Sequence, residues 1–315
     1  MTKTLIIIQR EYLTRVRKKS FVIMTLLTPL LMIALIGMPV WLSEANSAET
    51  KEIIVIDQTG KQESVFLPNE THQEETSVES ALIIGMATAV LIYFFILVYG
   101  AMVLRGVVEE KSNRIVEIVI SSVHPFELMV GKIVGIALVG LTQFSIWAVI
   151  AAILTNFMEI PTIPVQSVIP ALSAMNLVEI AFFFIVYFLG GYLLYASLFA
   201  AIGAASNSET DTQQFMLPII LPVIFAMLVA VNSASNPDGQ LAFWTSLIPF
   251  TSPIVMMIRI PAGNVPAWEL ILSVSLLLLS FAGTTWLAAK IYRTGILMYG
   301  KKVTYREIWK WIKYK

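Results

Sequence analysis

The sequence predicts an all-α integral membrane protein with six transmembrane helices, and three observations carry that reading. Hydrophobic residues make up 57% of the 315 and charged ones only 13%, with a mean hydropathy of +0.79, far from the balance of a soluble domain. Six apolar runs reach or approach the roughly 20 residues that a helix needs to cross a bilayer. The charges, 21 basic and 21 acidic, cancel in total but are segregated along the chain.

Residues 1–20 hold the first element. Leu5, Ile8, Tyr12 and Val16 share one helical face while Lys3, Arg10 and Arg17 recur on another, which predicts an amphipathic helix lying along the membrane surface. The run 21–41 is longer than a secretory signal core and is expected to remain as the first span; Ser43 to Ala48 is only a weak cleavage site. Residues 42–80 form a short outer segment, with one strand expected at 51–60 and a polar, acidic, poorly ordered remainder. Five more spans follow within 81–289, at 81–104, 133–155, 177–205, 215–231 and 270–289; the fifth of the six carries Pro218 and Pro222. The apolar stretch at about 248–261 is too short to cross and return, and is expected to dip into the outer leaflet or lie on it.

Orientation follows from the bases. Six of the 21 precede the first span, four lie in the loop 105–132 and eight in the tail 290–315, whereas 42–80 carries nine acidic residues against Lys51 and Lys61. An even number of spans with both termini in the cytoplasm satisfies all four segments, and puts the loop 105–132 where a soluble partner can reach it. In that loop Glu110 and Arg114 stand four apart, and Arg114 and Glu117 three apart, so a helical face can carry a charged network. Pro125 disfavours helical geometry at His124 and marks a turn before the next span.

Several chemistries are excluded or weakened. With no cysteine and two histidines in separate loops, His72 and His124, the chain has no thiolate site and too few imidazoles for a catalytic or metal cluster. The string from Gly295 to Lys302 mimics a phosphate-binding loop, but Lys302 stands where magnesium needs a hydroxyl, and no buried strand precedes it. The aromatic and basic tail from Tyr305 reads as a headgroup anchor, with no nucleic-acid partner implied. Asn69-Glu-Thr71 matches a glycosylation acceptor by pattern alone. No ionisable residue sits centrally in any run; Glu179 lies near one mouth, and Gln143, Asn156, Tyr187, Tyr192 and Tyr195 are neutral groups suited to helix packing. An ion-coupled carrier or an intramembrane protease needs such charges, so work on a substrate must be driven from outside the chain.

The residues from Val107 to Glu117, with Ser121-Ser122, Pro125-Phe126, Leu128-Met129, Gly131-Lys132 and Gly140 to Gln143, resemble the cytoplasmic coupling segment of type-2 ABC-exporter permeases, closest to the sodium-efflux permease branch. The resemblance extends more loosely from Gln9 to Tyr12 and on to the last span. It implies one half of a permease dimer, homo- or heterodimeric, in a bacterial plasma or inner membrane, exporting a cargo as separate ATPase subunits close on ATP. It further implies that Glu109, Glu110, Lys111, Arg114 and Glu117 form a coupling helix seated in the ATPase groove, with Ser121, Ser122, Pro125 and Phe126 as its turn and the N-terminal helix as an elbow. No catalytic, metal or cofactor residue belongs to this chain on that reading; ATP and Mg2+ bind the partner. Na+, a drug, a lipid or a peptide are the candidate cargoes. Relatives usually carry a larger outer domain between the first two spans than residues 42–80. The alternative class is a non-transporting membrane scaffold or signalling subunit regulated by an ATPase.

Overall fold

The computed structural model describes residues 3–29, 69–157, 177–206, 209–262, 265–298 and 304–313. The regular elements among them are all helices: α1 (Lys3–Val16), α2 (Lys19–Pro29), α3 (Asn69–Ser112), α4 (Ile115–Ile120), α5 (Pro125–Phe157), α6 (Leu177–Ala205), α7 (Glu209–Ser235), α8 (Gln240–Leu247), α9 (Ser252–Arg259), α10 (Ala267–Gly295) and α11 (Tyr305–Lys313). Five of them, α3, α5, α6, α7 and α10, are long and apolar enough to cross a membrane. The described residues thus give five spans, not six. The expected first span begins in α2, and its remainder, with the strand expected at 51–60, lies outside them.

One expectation is corrected outright. Residues 69–80, read as part of a poorly ordered segment, are the opening turns of α3, a single helix of 44 residues. Pro68 stands just before it, and neither Gly nor Pro interrupts residues 69–80. Once the apolar span has nucleated, each polar residue added to its end gains a backbone hydrogen bond without a new nucleation cost.

The core is built around α3 and α6, with α10 packed on the other side of α6. Phe95 anchors it, stacking on Tyr99 at 5.3 Å and meeting Phe188 and Trp147 edge-on at 5.4 and 5.5 Å. The neutral polar groups of the spans serve packing: Tyr99 donates to Gln143 (2.5 Å), Tyr192 to the Ile133 carbonyl (2.9 Å) and Tyr195 to the Phe250 carbonyl (2.7 Å). Trp147 Nε1 donates to the Thr25 carbonyl (2.8 Å), tying α2 to α5.

The apolar stretch near 248–261 forms α9, all eight of whose residues are buried among α3, α6 and α7. A Cβ at Gly85 would lie 3.0 Å from the Ile258 Cα, so α3 and α9 touch backbone to backbone. Arg259, at its end, is buried yet satisfied: it donates to the Pro237 carbonyl (2.9 Å), Ser246 Oγ (2.7 Å) and Glu269 Oε2 (2.7 Å). Ser273 Oγ donates to the Ser246 carbonyl (2.8 Å), closing a network that joins α8, α9 and α10.

The N-terminal helix α1 lies on α5. Gly131 and Gly135, four apart on α5, let it approach the backbone: a Cβ at Gly131 would fall 2.7 Å from Ile7 Cγ2, and one at Gly135 2.6 Å from the Glu11 Cβ. Gly135→Val is therefore expected to lift α1 off α5 and lower thermal stability in detergent, whereas Gly283→Ala, which meets no atom within 4 Å, leaves it level or slightly higher. Equal melting of the two variants would show that α1 does not depend on the close approach.

Candidate functional site

Where α1, α3 and α5 converge, five charged side chains form one node. Glu11 and Lys132 are buried, 4% and 1% exposed in their side chains, and Glu110 is nearly so. Lys132 Nζ lies 3.3 Å from Glu11 Oε1 and 3.0 Å from Glu110 Oε1. Arg10 Nη2 reaches the same two carboxylates, at 2.8 and 2.5 Å, and Arg15 pairs with Glu11 from the next turn of α1. Gly106 makes the room, since a Cβ there would lie 3.1 Å from Arg15 Nη2 and 3.3 Å from Lys132 Nζ.

Burial alone would push the Glu11 carboxyl up, but the charges of Lys132 and Arg15 and hydrogen bonds from Arg10 and Arg15 outweigh it and hold it at about 2. Burial likewise pulls the Arg10 guanidinium down, and its bonds and attraction to Glu11 and Glu110 more than reverse that. Glu11 and Arg10 are thus charged at neutral pH, and the node holds because opposite charges face one another in it, an unpaired charge there being strongly destabilising.

One residue on, Lys111 turns the other way into the bundle. It is buried, and its Nζ donates to the carbonyls of Ala204 (2.6 Å) and Gly295 (2.8 Å). These are carbonyls in the last turns of α6 and α10, beyond the reach of the regular helical ladder, though Gly295 also accepts from the Met298 N–H (3.2 Å), and the ammonium meets the negative ends of both helix dipoles. Gly295 permits the approach, as a Cβ there would lie 2.9 Å from the Ala204 carbonyl oxygen. This assigns the Gly295 end of the false phosphate-binding string a packing role.

Beyond Lys111 the chain leaves the membrane base. The helix ends at Ser112, and Arg114 takes a left-handed conformation (φ 55°) at the start of α4, so the single charged helix expected across Arg105 to Glu117 is broken in two. Glu110 and Arg114 therefore do not pair; Glu110 is turned toward Arg10 and Lys132. On the exposed side stand Glu109, Arg114, Glu117, Ser121 and Ser122, with Ile118 at 75% and Phe126 at 45% exposure. Pro125 opens α5 behind His124, whose backbone N–H lies 3.4 Å from Glu127 Oε2, and Lys3 Nζ holds the turn by donating to the Ser122 carbonyl (2.6 Å).

The five predicted coupling residues thus divide. Glu109, Arg114 and Glu117 face outward, while Glu110 and Lys111 face inward. Sequence reasoning missed the roles of Glu11, Arg15 and Lys132, which share the node although they come from distant segments. A local signal was present: Glu11 and Arg15 stand four apart on α1, and Gly131 and Gly135 four apart around Lys132.

Comparison with known proteins places these features in a family. Residues 60–290 match the family described as ABC-2 family transporter protein. The chain is 32% identical over 222 residues to the uncharacterized protein YhaP of Bacillus subtilis (strain 168), covering 69% of this chain and 52% of that protein. It is 30% identical over 236 residues to the uncharacterized protein MJ1024 of Methanocaldococcus jannaschii, covering 75% and 55%. The chain spans about half the length of these relatives. No solved structure matches it.

Two outcomes test the node. Lys132→Met removes a buried cation from two buried carboxylates and is expected to destabilise the protein by about 3–5 kcal/mol, read from chemical or thermal unfolding in detergent; a loss below about 1 kcal/mol would mean that water reaches the node freely. The folded Glu11 carboxyl lies below its ordinary 4.5, so its stabilisation is present above that pH and is lost as pH falls towards 2. The distance between spin labels at exposed Ile6 and Leu138 should stay constant from pH 8 to 5 and broaden only below about 4.5, with Glu11→Gln broadening it at every pH. Broadening between pH 8 and 5 in the wild type would assign α1 docking to another group.

Proposed function

The chain belongs to the ABC-2 transporter family as a multi-pass membrane permease, and on that premise we propose that it is the membrane half of an ATP-driven exporter whose ATPase is a separate cytoplasmic subunit. The observation that carries this reading is the arrangement around α4. A short helix with exposed Glu117 and Ile118 projects between two spans, and the two residues at its root, Glu110 and Lys111, are locked to four other helices. A docking surface joined so tightly to α1, α5, α6 and α10 transmits displacement rather than absorbing it.

The mechanism follows from that geometry. The partner engages Glu109, Arg114, Glu117 and Ile118, with the turn at Ser121, Ser122, Pro125 and Phe126 beside them. ATP-driven closure of two such partners moves α4; Glu110 carries the motion to α1 and α5, and Lys111 carries it to the ends of α6 and α10. In a dimer of two permease chains this tilts the spans between inward- and outward-open arrangements. Residues 1–20 act as the elbow and both termini face the cytoplasm, in keeping with the bases around them. The α8–α9 pair, with α9 fully buried, then sits toward the outer face as a re-entrant element. ATP and Mg2+ bind the partner. Na+ is the cargo that the sodium-efflux resemblance names, with drugs, lipids and peptides as the other classes to assay in loaded vesicles.

Docking and transmission separate by mutation. Ile118→Asp with Glu117→Lys is expected to abolish co-purification of the partner ATPase, whereas Glu110→Arg keeps the complex but lowers permease-dependent ATPase activity at least tenfold, with partial recovery in Glu110→Arg/Arg10→Glu. A complex that survives the surface pair, or full activity in Glu110→Arg, would sink the respective assignment. If no ATPase associates with the wild-type chain, the exporter reading itself fails and the scaffold reading takes its place.

A further inference from the structure

A cleft of about 710 Å³ opens between the α1–α2 pair and the faces of α3 and α5, and its lining changes character along its length. At the end nearest the node stand Arg15, Lys18 and Arg105; at the other end Met24, Phe94 and Val98 are partly or largely exposed. Between these ends Gln143 accepts from Tyr99, and the Gln143 amide nitrogen has no partner among the described residues. Charged, then neutral polar, then apolar: the order matches a phospholipid from headgroup through glycerol esters to acyl chain.

The charge balance selects the sign of the head. Five bases line the cleft, Arg10, Arg15, Lys18, Arg105 and Lys132, against three acids, Glu11, Glu109 and Glu110. Glu11 and Glu110 are already engaged by Arg10, Arg15 and Lys132, and Glu109 is exposed at the rim. Neither the Lys18 nor the Arg105 side chain has an ion pair or hydrogen bond among the described residues, and both residues are exposed. In the orientation proposed above these two bases sit at the cytoplasmic headgroup layer, where anionic lipids attract them.

We propose that this cleft is a binding site for one anionic phospholipid of the cytoplasmic leaflet, its phosphate on Lys18 and Arg105 and one acyl chain along Phe94, Val98 and Met24. The inference rests on the membrane orientation of the proposed function but not on an ATPase partner. Occupancy is therefore measured on the permease alone, and its failure is distinguishable from failure of the exporter reading, which is tested by ATPase association.

The test is native mass spectrometry of the full chain in neutral detergent, titrated with phosphatidylglycerol or phosphatidylcholine. One phosphatidylglycerol is expected to remain bound per chain and phosphatidylcholine none. Each base removed from the head end weakens binding roughly fivefold, so Lys18→Ala/Arg105→Ala should weaken it about twentyfold or more. Val98→Trp, which fills the apolar arm without changing charge, should weaken it comparably, while Arg293→Ala, an exposed base outside the cleft, leaves it unchanged. Equal binding of the two lipids overturns the proposal, as does an effect of the charge variants without one from Val98→Trp, which would mean surface attraction only. Equal protection by glycerol phosphate would assign the bases to a free phosphate instead, and a Val98→Cys cross-link between two chains would assign the cleft to a second copy.

Discussion

A buried ammonium bound to the ends of two helices is the constraint on which the end of the bundle beside α4 depends. Helices α6 and α10 finish side by side, each with last-turn carbonyls outside its regular helical ladder, where the surrounding side chains are largely apolar. Lys111 donates to both at once. Because consecutive residues on a helix point about 100° apart, Glu110 faces away from Lys111 and meets Arg10 and Lys132 instead. The end of α3 is thus held from two sides by charge, in a place where letting go of either side leaves an uncompensated ion. Apolar packing could fill the same volume, but it would not fix which helix ends meet which.

The junction around α9 obeys the same logic with different chemistry. Arg259 is as buried as Lys111, and its planar fork spreads donors over a loop carbonyl, a serine hydroxyl and the Glu269 carboxylate. Those partners lie on α8, α10 and the loop between α7 and α8, so one guanidinium organises the junction around α9. Between the two polar ends, the middle of the bundle is held by aromatic contacts and by tyrosines that donate to backbone carbonyls. Directional bonding at both ends and apolar contact between them allow the ends to specify register while the middle supplies most of the buried surface.

The spans were legible in the sequence because a long apolar run has no other stable fate in a bilayer, and α5, α6 and α10 follow the runs that predicted them. The outward residues of the loop 105–132 were legible as a charged, interrupted stretch. Its inward half was not, because local spacing puts Glu110, Arg114 and Glu117 on one helical face, and the left-handed turn at Arg114 destroys that face. The partners of Glu110 lie 100 residues away on α1 and 22 away on α5, and those of Lys111 lie 93 and 184 away, at distances no periodicity encodes. The helical start of α3 was missed for the opposite reason: composition says that residues 69–80 are hydrated, and a hydrated stretch continuing an established helix keeps its hydrogen bonds.

The cleft is lined by the node's own side chains, and for Arg15 that has a thermodynamic consequence. Arg15 both pairs with Glu11 and lines the basic end of the cleft. An anionic head bound there and the Glu11 carboxylate would draw on the same guanidinium, so occupancy of the cleft and the strength with which α1 is held are linked. Linkage is reciprocal: whatever displacement of α1 accompanies movement of α4 must change the affinity of the cleft by the same factor that occupancy changes the displacement. A device driven through Glu110 therefore cannot be independent of what fills the space beside it. Lys132 sits behind both, held by Glu11 and Glu110 together, so the carboxylates cannot follow Arg15 outward without stranding a buried cation. That asymmetry lets Arg15 yield to an occupant while the rest of the lock stays closed.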